Sequence, residues 1–173
     1  PVVPVVIEKV EIARKGAHYA KYNGAEAFEV AKENHSKKQA EAEAKANAEK
    51  NAEIARQKEL EAKAETTASG LKYVILEEGT GEKPVHGDAI QTHYTLRLND
   101  GEKLDSSYDR NQPLDVTVGV TGLIQGWTEA LTMFNRGSKV FLIIPAELGY
   151  GARGAGGVVP PNATLYFDME VLK

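Results

Sequence analysis

The sequence predicts an α+β chain in which an antiparallel β domain with one short helix follows a long charged helix. Two observations carry this. Between Gly24 and Thr67 the composition narrows to Ala, Glu and Lys, with no proline and no glycine after Gly24, a mixture that favours helix. From Gly70 onward, short β-prone runs alternate with turn signals around a single helix-like stretch, the pattern of strands gathered about one helix.

The elements follow in order. Val5–Ile12 is β-branched with partial alternation and reads as a strand; a lone strand cannot bury its apolar face and needs a neighbour. Asn23-Gly24 turns the chain into the long helix. Glu33–Lys37, Glu41–Lys45 and Glu59–Lys63 are i,i+4 pairs in the favourable order. A helix of ~40 residues would be about 60 Å long. Its large apolar residues are few, Phe28, Val30, Ile54 and Leu60, and they hold no heptad register. A solvated spacer, an Ala-seamed dimerisation coil and a helix lying on the following domain all remain open. Gly70, after the polar Thr66-Thr67-Ala68-Ser69, marks the expected exit. Strands are expected at Leu71–Glu77, Ile90–Leu98, Lys103–Ser106, Leu114–Val118, Lys139–Ile144 and Thr164–Val171. Asn99-Asp100-Gly101 supplies a hairpin signal, and Trp127–Phe134 is the short helix. The expected division is 1–23 for the N-terminal strand segment, 24–68 for the helix and linker, and 69–173 for the β domain.

Charge and composition exclude several function classes. Up to Ala68 the chain carries twelve Lys/Arg and twelve Asp/Glu, so the remainder carries the whole net charge of −4. Neither part is basic enough to suggest nucleic acid. No apolar run approaches a membrane span. Without cysteine there is no disulfide, thiol nucleophile or Cys-based zinc site, and the scattered His18, His35, His86 and His93 argue against metal ligation. Gly149-Tyr150-Gly151-Ala152-Arg153-Gly154 fits G-x-G-x-x-G. A dinucleotide site needs a helix to start there, whereas Pro160-Pro161 and another strand follow.

Four strings, VHGDAIQTHYTLRLNDGEKLDSSYDRNQPL, GLIQGWTEAL, GSKVFLIIPAELGYG and VVPPNATLYFDMEVL, resemble the FKBP family of peptidyl-prolyl cis–trans isomerases, with many fixed spacings over about 100 residues. The resemblance implies a five-stranded antiparallel half-barrel around the Trp127 helix, with an apolar pocket between sheet and helix. It puts Trp127 under the prolyl ring as the floor, and Tyr94 and Phe167 as aromatic walls. Leu123 and Ile124 precede the helix, with the Ile124 N–H donating to a substrate carbonyl. Tyr150 is the hydrogen-bonding phenol at the rim, Asp105 the pocket carboxylate and Arg110 its neighbour. Val158 and Val159 form the apolar flap tip. Leu104 and Leu114 stand where the best-known members have Phe, Gly122 replaces a frequent acid, and the flap at Ala155-Gly156-Gly157 lacks an aromatic or His. These departures bear on macrolide affinity and substrate preference more than on the basic activity.

The residue types suit that chemistry. Peptide rotation meets a barrier of roughly 18–20 kcal/mol because resonance must be broken. No covalent bond breaks, so a pocket that prefers the less polar twisted imide suffices. The expected catalytic residues are Asp105, Tyr150 and Trp127, with Asp105 acting electrostatically and not as a base. Substrate binding falls to Tyr94, Leu104, Arg110, Leu114, Leu123, Ile124, Val158, Val159 and Phe167. The expected function is prolyl isomerisation that assists folding of proline-containing protein clients, without cofactor or metal; the alternative is a non-catalytic module holding proline-containing segments. Macrolide inhibitors and a dimer through the long helix are further expectations. That helix resembles those of bacterial FKBPs of the macrophage-infectivity-potentiator type. Alternatively, PVVPVVIEKVEI is similar to the closing strand of a cyclophilin, making the chain the tail of a cyclophilin–FKBP fusion. The compartment is left open, with a leaning to the cytoplasm.

Overall fold

The structure, a computed structural model, describes residues 23–172; the strand expected at Val5–Ile12 lies outside them. The chain divides after Asn47 into two compact units. Helix α1 spans Gly24–Lys63. At its start the Asn23 side-chain oxygen accepts from the Glu26 N–H at 3.4 Å, a capping contact that satisfies one of the free donors of the first turn. Residues up to Asn47 leave Phe28 and Val30 exposed.

The second unit, Ala48–Lys173, holds the last turns of α1, seven strands and a second helix. α1 stops at Lys63, earlier than the Gly70 exit expected from sequence. The cause is a hairpin. Glu65–Thr66 (β1) pairs antiparallel with Lys72–Glu77 (β2), Glu65 against Tyr73 and Thr66 against Lys72. The Thr67 N–H donates to the Leu71 carbonyl at 2.8 Å, and Gly70, at φ 96°, makes the turn. Gly70 therefore marks a β-turn that only a residue free to adopt positive φ closes without strain.

The remaining strands are Ala89–Arg97 (β3), Lys103–Ser106 (β4), Leu114–Thr117 (β5), Lys139–Ile144 (β6) and Leu165–Val171 (β7). The sheet order is β1-β2-β6-β7-β3-β4, with β5 also on β3. Thr92 faces Val171 on one side and Leu114 on the other, so β4 and β5 share the β3 edge away from β7. They are two halves of one edge strand interrupted by the loop at 107–113. With β1 set aside, this is the expected five-stranded antiparallel sheet. Gln125–Met133 forms α2, starting two residues before the expected Trp127. Its Gly126 lets it approach β6 closely: a Cβ there would come within 2.7 Å of the Ile144 Cγ2.

β6 explains its own composition. Every residue from Val140 to Ile144 is buried, although successive side chains point to opposite faces. Val140, Leu142 and Ile144 join the main core with Trp127, Leu131 and Phe167. Phe141 and Ile143 cluster with Tyr166 on the other face, where Leu60, Ala64 and Val74 pack. A strand covered on both sides reads as a continuous apolar run. The end of α1 lies on this outer face. Arg56 pairs with Asp168 at 2.5 Å and sits over the Phe141 ring, 5.3 Å from its centroid. Gln57, 3% exposed, donates to the Leu98 carbonyl at 3.2 Å.

The glycine-rich segment after β6 forms two 3-10 turns, Ala146–Leu148 and Gly151–Arg153, and no α-helix begins there. The geometry a dinucleotide fingerprint requires is absent from it.

Candidate active site

The sheet's concave face and the start of α2 enclose a cavity of about 490 Å³, within the range of ligand sites. Its floor is aromatic. The Tyr94 and Trp127 rings meet edge-to-face at 5.3 Å and 90°, and Trp127 meets Phe167 at 5.4 Å and 76°. Alternation along β3 puts Tyr94 inward with Leu96. Phe167 projects from β7 and Trp127 from the first turn of α2. Trp127 is 3% exposed and its indole N–H has no acceptor among the described residues. Edge-to-face packing orients such rings and adds to the stabilisation from their burial, so each ring of the floor is set by its neighbours.

One wall is polar. The Tyr94 hydroxyl donates to Asp105 at 2.5 Å, and Arg110 donates to the Tyr94 oxygen at 3.0 Å while also pairing with Asp105. The Ser106 N–H adds a 2.8 Å bond to the same carboxylate. Burial pushes the Asp105 carboxyl up. The hydrogen bonds from Tyr94 and Arg110, together with the Arg110 charge, outweigh it, so Asp105 sits below the ordinary carboxylate value. The Tyr94 hydroxyl is pushed up, first by burial and then by its bond to Asp105, with Arg110 opposing. Asp105 is thus held ionised as an acceptor, and Tyr94 is held protonated as a donor. The pair fixes a dipole beside the apolar floor and is unsuited to moving a proton.

Ser107 anchors this wall. Its side chain is fully buried, its oxygen accepts from the Tyr94 N–H at 2.8 Å, and it lies 2.9 Å from the His93 Nδ1. The His93 ring stacks on Tyr108 at 4.4 Å, which places this histidine behind the wall and outside the cavity.

Among the residues expected from sequence, Tyr94, Asp105, Leu114, Leu123, Ile124, Trp127, Tyr150 and Phe167 come together around the cavity. The Ile124 N–H has no acceptor among the described residues, which leaves it available to a ligand. Tyr150 stands 41% exposed at the rim. The others lie elsewhere. Arg110 acts from behind Asp105. Leu104 packs, half-buried, against the main core. Val158 and Val159 do not line the cavity. The flap is a tight turn in which the Ala155 and Val159 N–H groups each donate to the other's carbonyl at 3.0 Å. Val159 turns into the core and Val158 to solvent, at 57% exposure. Val158 belongs to the turn itself, its N–H donating to the Ala155 carbonyl at 2.9 Å, whereas Val159 closes the bridge to Ala155.

Leu96, Gly122, Gln125, Glu147 and Gly149 also line the cavity. Leu96 was legible, two residues from Tyr94 on an alternating strand. Gln125 and Gly149 adjoin expected residues, and Gly122 stands out in the sequence only as a departure from the family pattern. Nothing in the sequence marked Glu147.

Residues 80–172 match the profile of the family described as FKBP-type peptidyl-prolyl cis-trans isomerase. An FK506-binding protein of Neisseria meningitidis serogroup A is 54% identical over 98 residues, which are 57% of this chain and 90% of that protein. The FKBP-type peptidyl-prolyl cis-trans isomerase FkpA of Escherichia coli is 38% identical over 147 residues, 85% of this chain, a span that necessarily includes most of α1. The match takes in about half of FkpA's own length, 53%. The crystal structure of FkpA from Escherichia coli superposes with a TM-score of 0.60 at 35% identity, covering 88% of this chain and 73% of that one. A profile covering more than half of the residues, and a relative matched over nine-tenths of its length, carry the same conclusion as the fold: the chain belongs to the FKBP-type peptidyl-prolyl cis-trans isomerases.

Proposed function

We propose that this isomerase accelerates Xaa-Pro rotation by holding the pyrrolidine ring on the Trp127 floor and favouring the twisted imide over the planar one. The observation that carries the reading is the pre-packed Tyr94–Trp127–Phe167 floor beside an ion-paired carboxylate. A planar amide carries resonance charge on oxygen and nitrogen, and an apolar, water-poor cavity stabilises it less than the twisted form. Only interactions stronger in the transition state accelerate the step. Asp105, fixed by Tyr94 and Arg110, supplies a constant field with no proton transfer. Tyr150 and the Ile124 N–H orient the flanking carbonyls. Uncatalysed isomerisation takes ~10–100 s, and each ~1.4 kcal/mol of differential binding speeds it tenfold. A few such contacts therefore matter to a folding client, and proline-containing protein segments are the substrate class.

The test is cis-to-trans relaxation of an Xaa-Pro peptide. Asp105→Ala is expected to lower kcat/KM by roughly tenfold and Tyr150→Phe by less, with both variants folded. Wild type no faster than buffer would overturn the reading.

A macrolide such as FK506, named in the Neisseria relative, is proposed to compete for the same cavity. Leu114 lines it and leaves a less aromatic wall, so weaker binding than in members with Phe there is expected. Competition by FK506 in the peptide assay measures it. Dimerisation through α1 is proposed on the exposed Phe28 and Val30. Sedimentation of the full chain against residues 48–173 tests it, with two monomers as the refuting result.

A further inference from the structure

We propose that Glu147 makes this isomerase discriminate by charge immediately before the proline, favouring Lys or Arg over Glu. The inference rests on the isomerase reading and specifies its substrate class.

The charged side chains lining the cavity are Asp105 and Glu147, and neither Lys, Arg nor His lines it. The two carboxylates differ in what faces them. Asp105 is occupied by Arg110, Tyr94 and the Ser106 N–H, so its charge is largely neutralised. Glu147 is exposed and has no hydrogen-bond or ion-pair partner among the described residues. It is nevertheless well placed. It sits in the 3-10 turn Ala146–Leu148, between two neighbours whose side chains are buried and pin that turn to the domain. Tyr150, at the rim, is three residues further on. Two arginines belong to segments that flank the cavity. Arg110 is spent on Asp105 and Tyr94. Arg153 projects into solvent from the adjacent turn Gly151–Arg153; its charge opposes that of Glu147 and limits the size of the effect.

A proline seated on Trp127 holds the preceding residue at the cavity mouth, because consecutive Cα atoms are about 3.8 Å apart across a trans bond and about 2.9 Å across a cis one. A Lys or Arg there lays its methylene stem along the apolar rim and extends its charge into water, where Glu147 waits. A Glu at the same place meets an uncompensated like charge. An exposed pair of this kind discriminates by about three- to fivefold and is screened by salt.

The experiment measures kcat/KM by cis–trans relaxation for one peptide series with Lys, Gln or Glu before proline. It uses the full chain at about 0.01 M and about 1 M salt. Wild type is expected to favour Lys over Glu by about three- to fivefold at low salt, with Gln between them and the ratio shrinking at high salt. In Glu147→Gln the ratio falls to one or below, and in Glu147→Lys it inverts. Because the reading is a ratio within each variant, a general loss of activity does not disturb it. A wild type without preference, or a ratio unchanged in Glu147→Gln, overturns the proposal. Failure to accelerate even the Gln peptide overturns the isomerase reading itself, and shows in the wild type before any variant is made.

Discussion

At the residue scale the site depends on groups that hold other groups. The Asp105 carboxyl lies below its ordinary value because the Tyr94 and Arg110 bonds outweigh its burial. The sign follows. A carboxyl lowered in the folded state stabilises above its unfolded value, about pH 3.9, and loses that contribution as pH falls through the lowered value. Activity is therefore expected to stay flat from neutral pH down to about pH 4 on account of this group, and to fall only below that. In Arg110→Ala the acid limb moves to higher pH, since a lowering influence is gone. An acid limb of kcat/KM that stays in place in that variant would contradict the assignment. Ser107 is the second case. It is fully buried and binds both the Tyr94 N–H and His93. Ser107→Ala leaves a buried donor without its partner, a cost of about 1–3 kcal/mol, read from the denaturant midpoint. A variant as stable as wild type would show that the wall is held by the strand pairing alone.

At the element scale, α2 exists to carry Trp127, and its position depends on the absence of a side chain at 126. Gly126→Ala tests two opposed effects. Alanine in a helix is favoured over glycine by about 1 kcal/mol. Against this, the new Cβ would lie 2.7 Å from the Ile144 Cγ2 and 3.0 Å from its Cδ1, and overpacking costs about 1–3 kcal/mol. Ile144 is itself fully buried and has little room to yield, so the clash wins. A net loss of about 1 kcal/mol is expected, with a disproportionate fall in kcat/KM as Trp127 shifts on its helix. Stability equal to or above wild type with full activity would show that β6 gives way. The strands of this layer were legible because their β-prone runs are bounded by turn residues. Lys103–Ser106 and Lys139–Ile144 coincide with β4 and β6. The helix exit was not legible. Glutamate and threonine at 65–66 are acceptable in a helix, and only pairing with Tyr73 and Lys72 across the Gly70 turn makes them extended. The flap valines show the same limit: composition marked both as apolar, and only the turn decides that one faces the core.

At the scale of the second unit, the question is what its end of α1 contributes. Ile54, Gln57 and Leu60 recur every three residues, a face that looks too sparse to bury. The structure fills the gap with polar contacts. Gln57 caps the Leu98 carbonyl, Lys50 pairs with Asp100 at 2.9 Å, and Arg56 pairs with Glu53 and with Asp168, which Arg97 shares. Beneath them lie Phe141, Ile143 and Tyr166, all less than a tenth exposed. Every residue that lines the cavity falls between Tyr94 and Phe167, so residues 69–173 carry the site, and we propose that they retain isomerase activity. They do not carry the cover of the outer face. Removing residues 1–47 leaves every contact of the second unit named above in place. Removing residues 1–68 uncovers three large side chains at about 1.5–3 kcal/mol each when fully exposed. Partial exposure makes a total of about 3–6 kcal/mol reasonable, a fall in Tm of about 10 °C or more. The shortened protein should also aggregate through the newly bare β6–β7 face. Calorimetry of the three chains decides it. Equal melting temperatures would mean that α1 merely rests on the sheet. A loss appearing already with residues 1–47 would place the stabilising contacts upstream of Ala48.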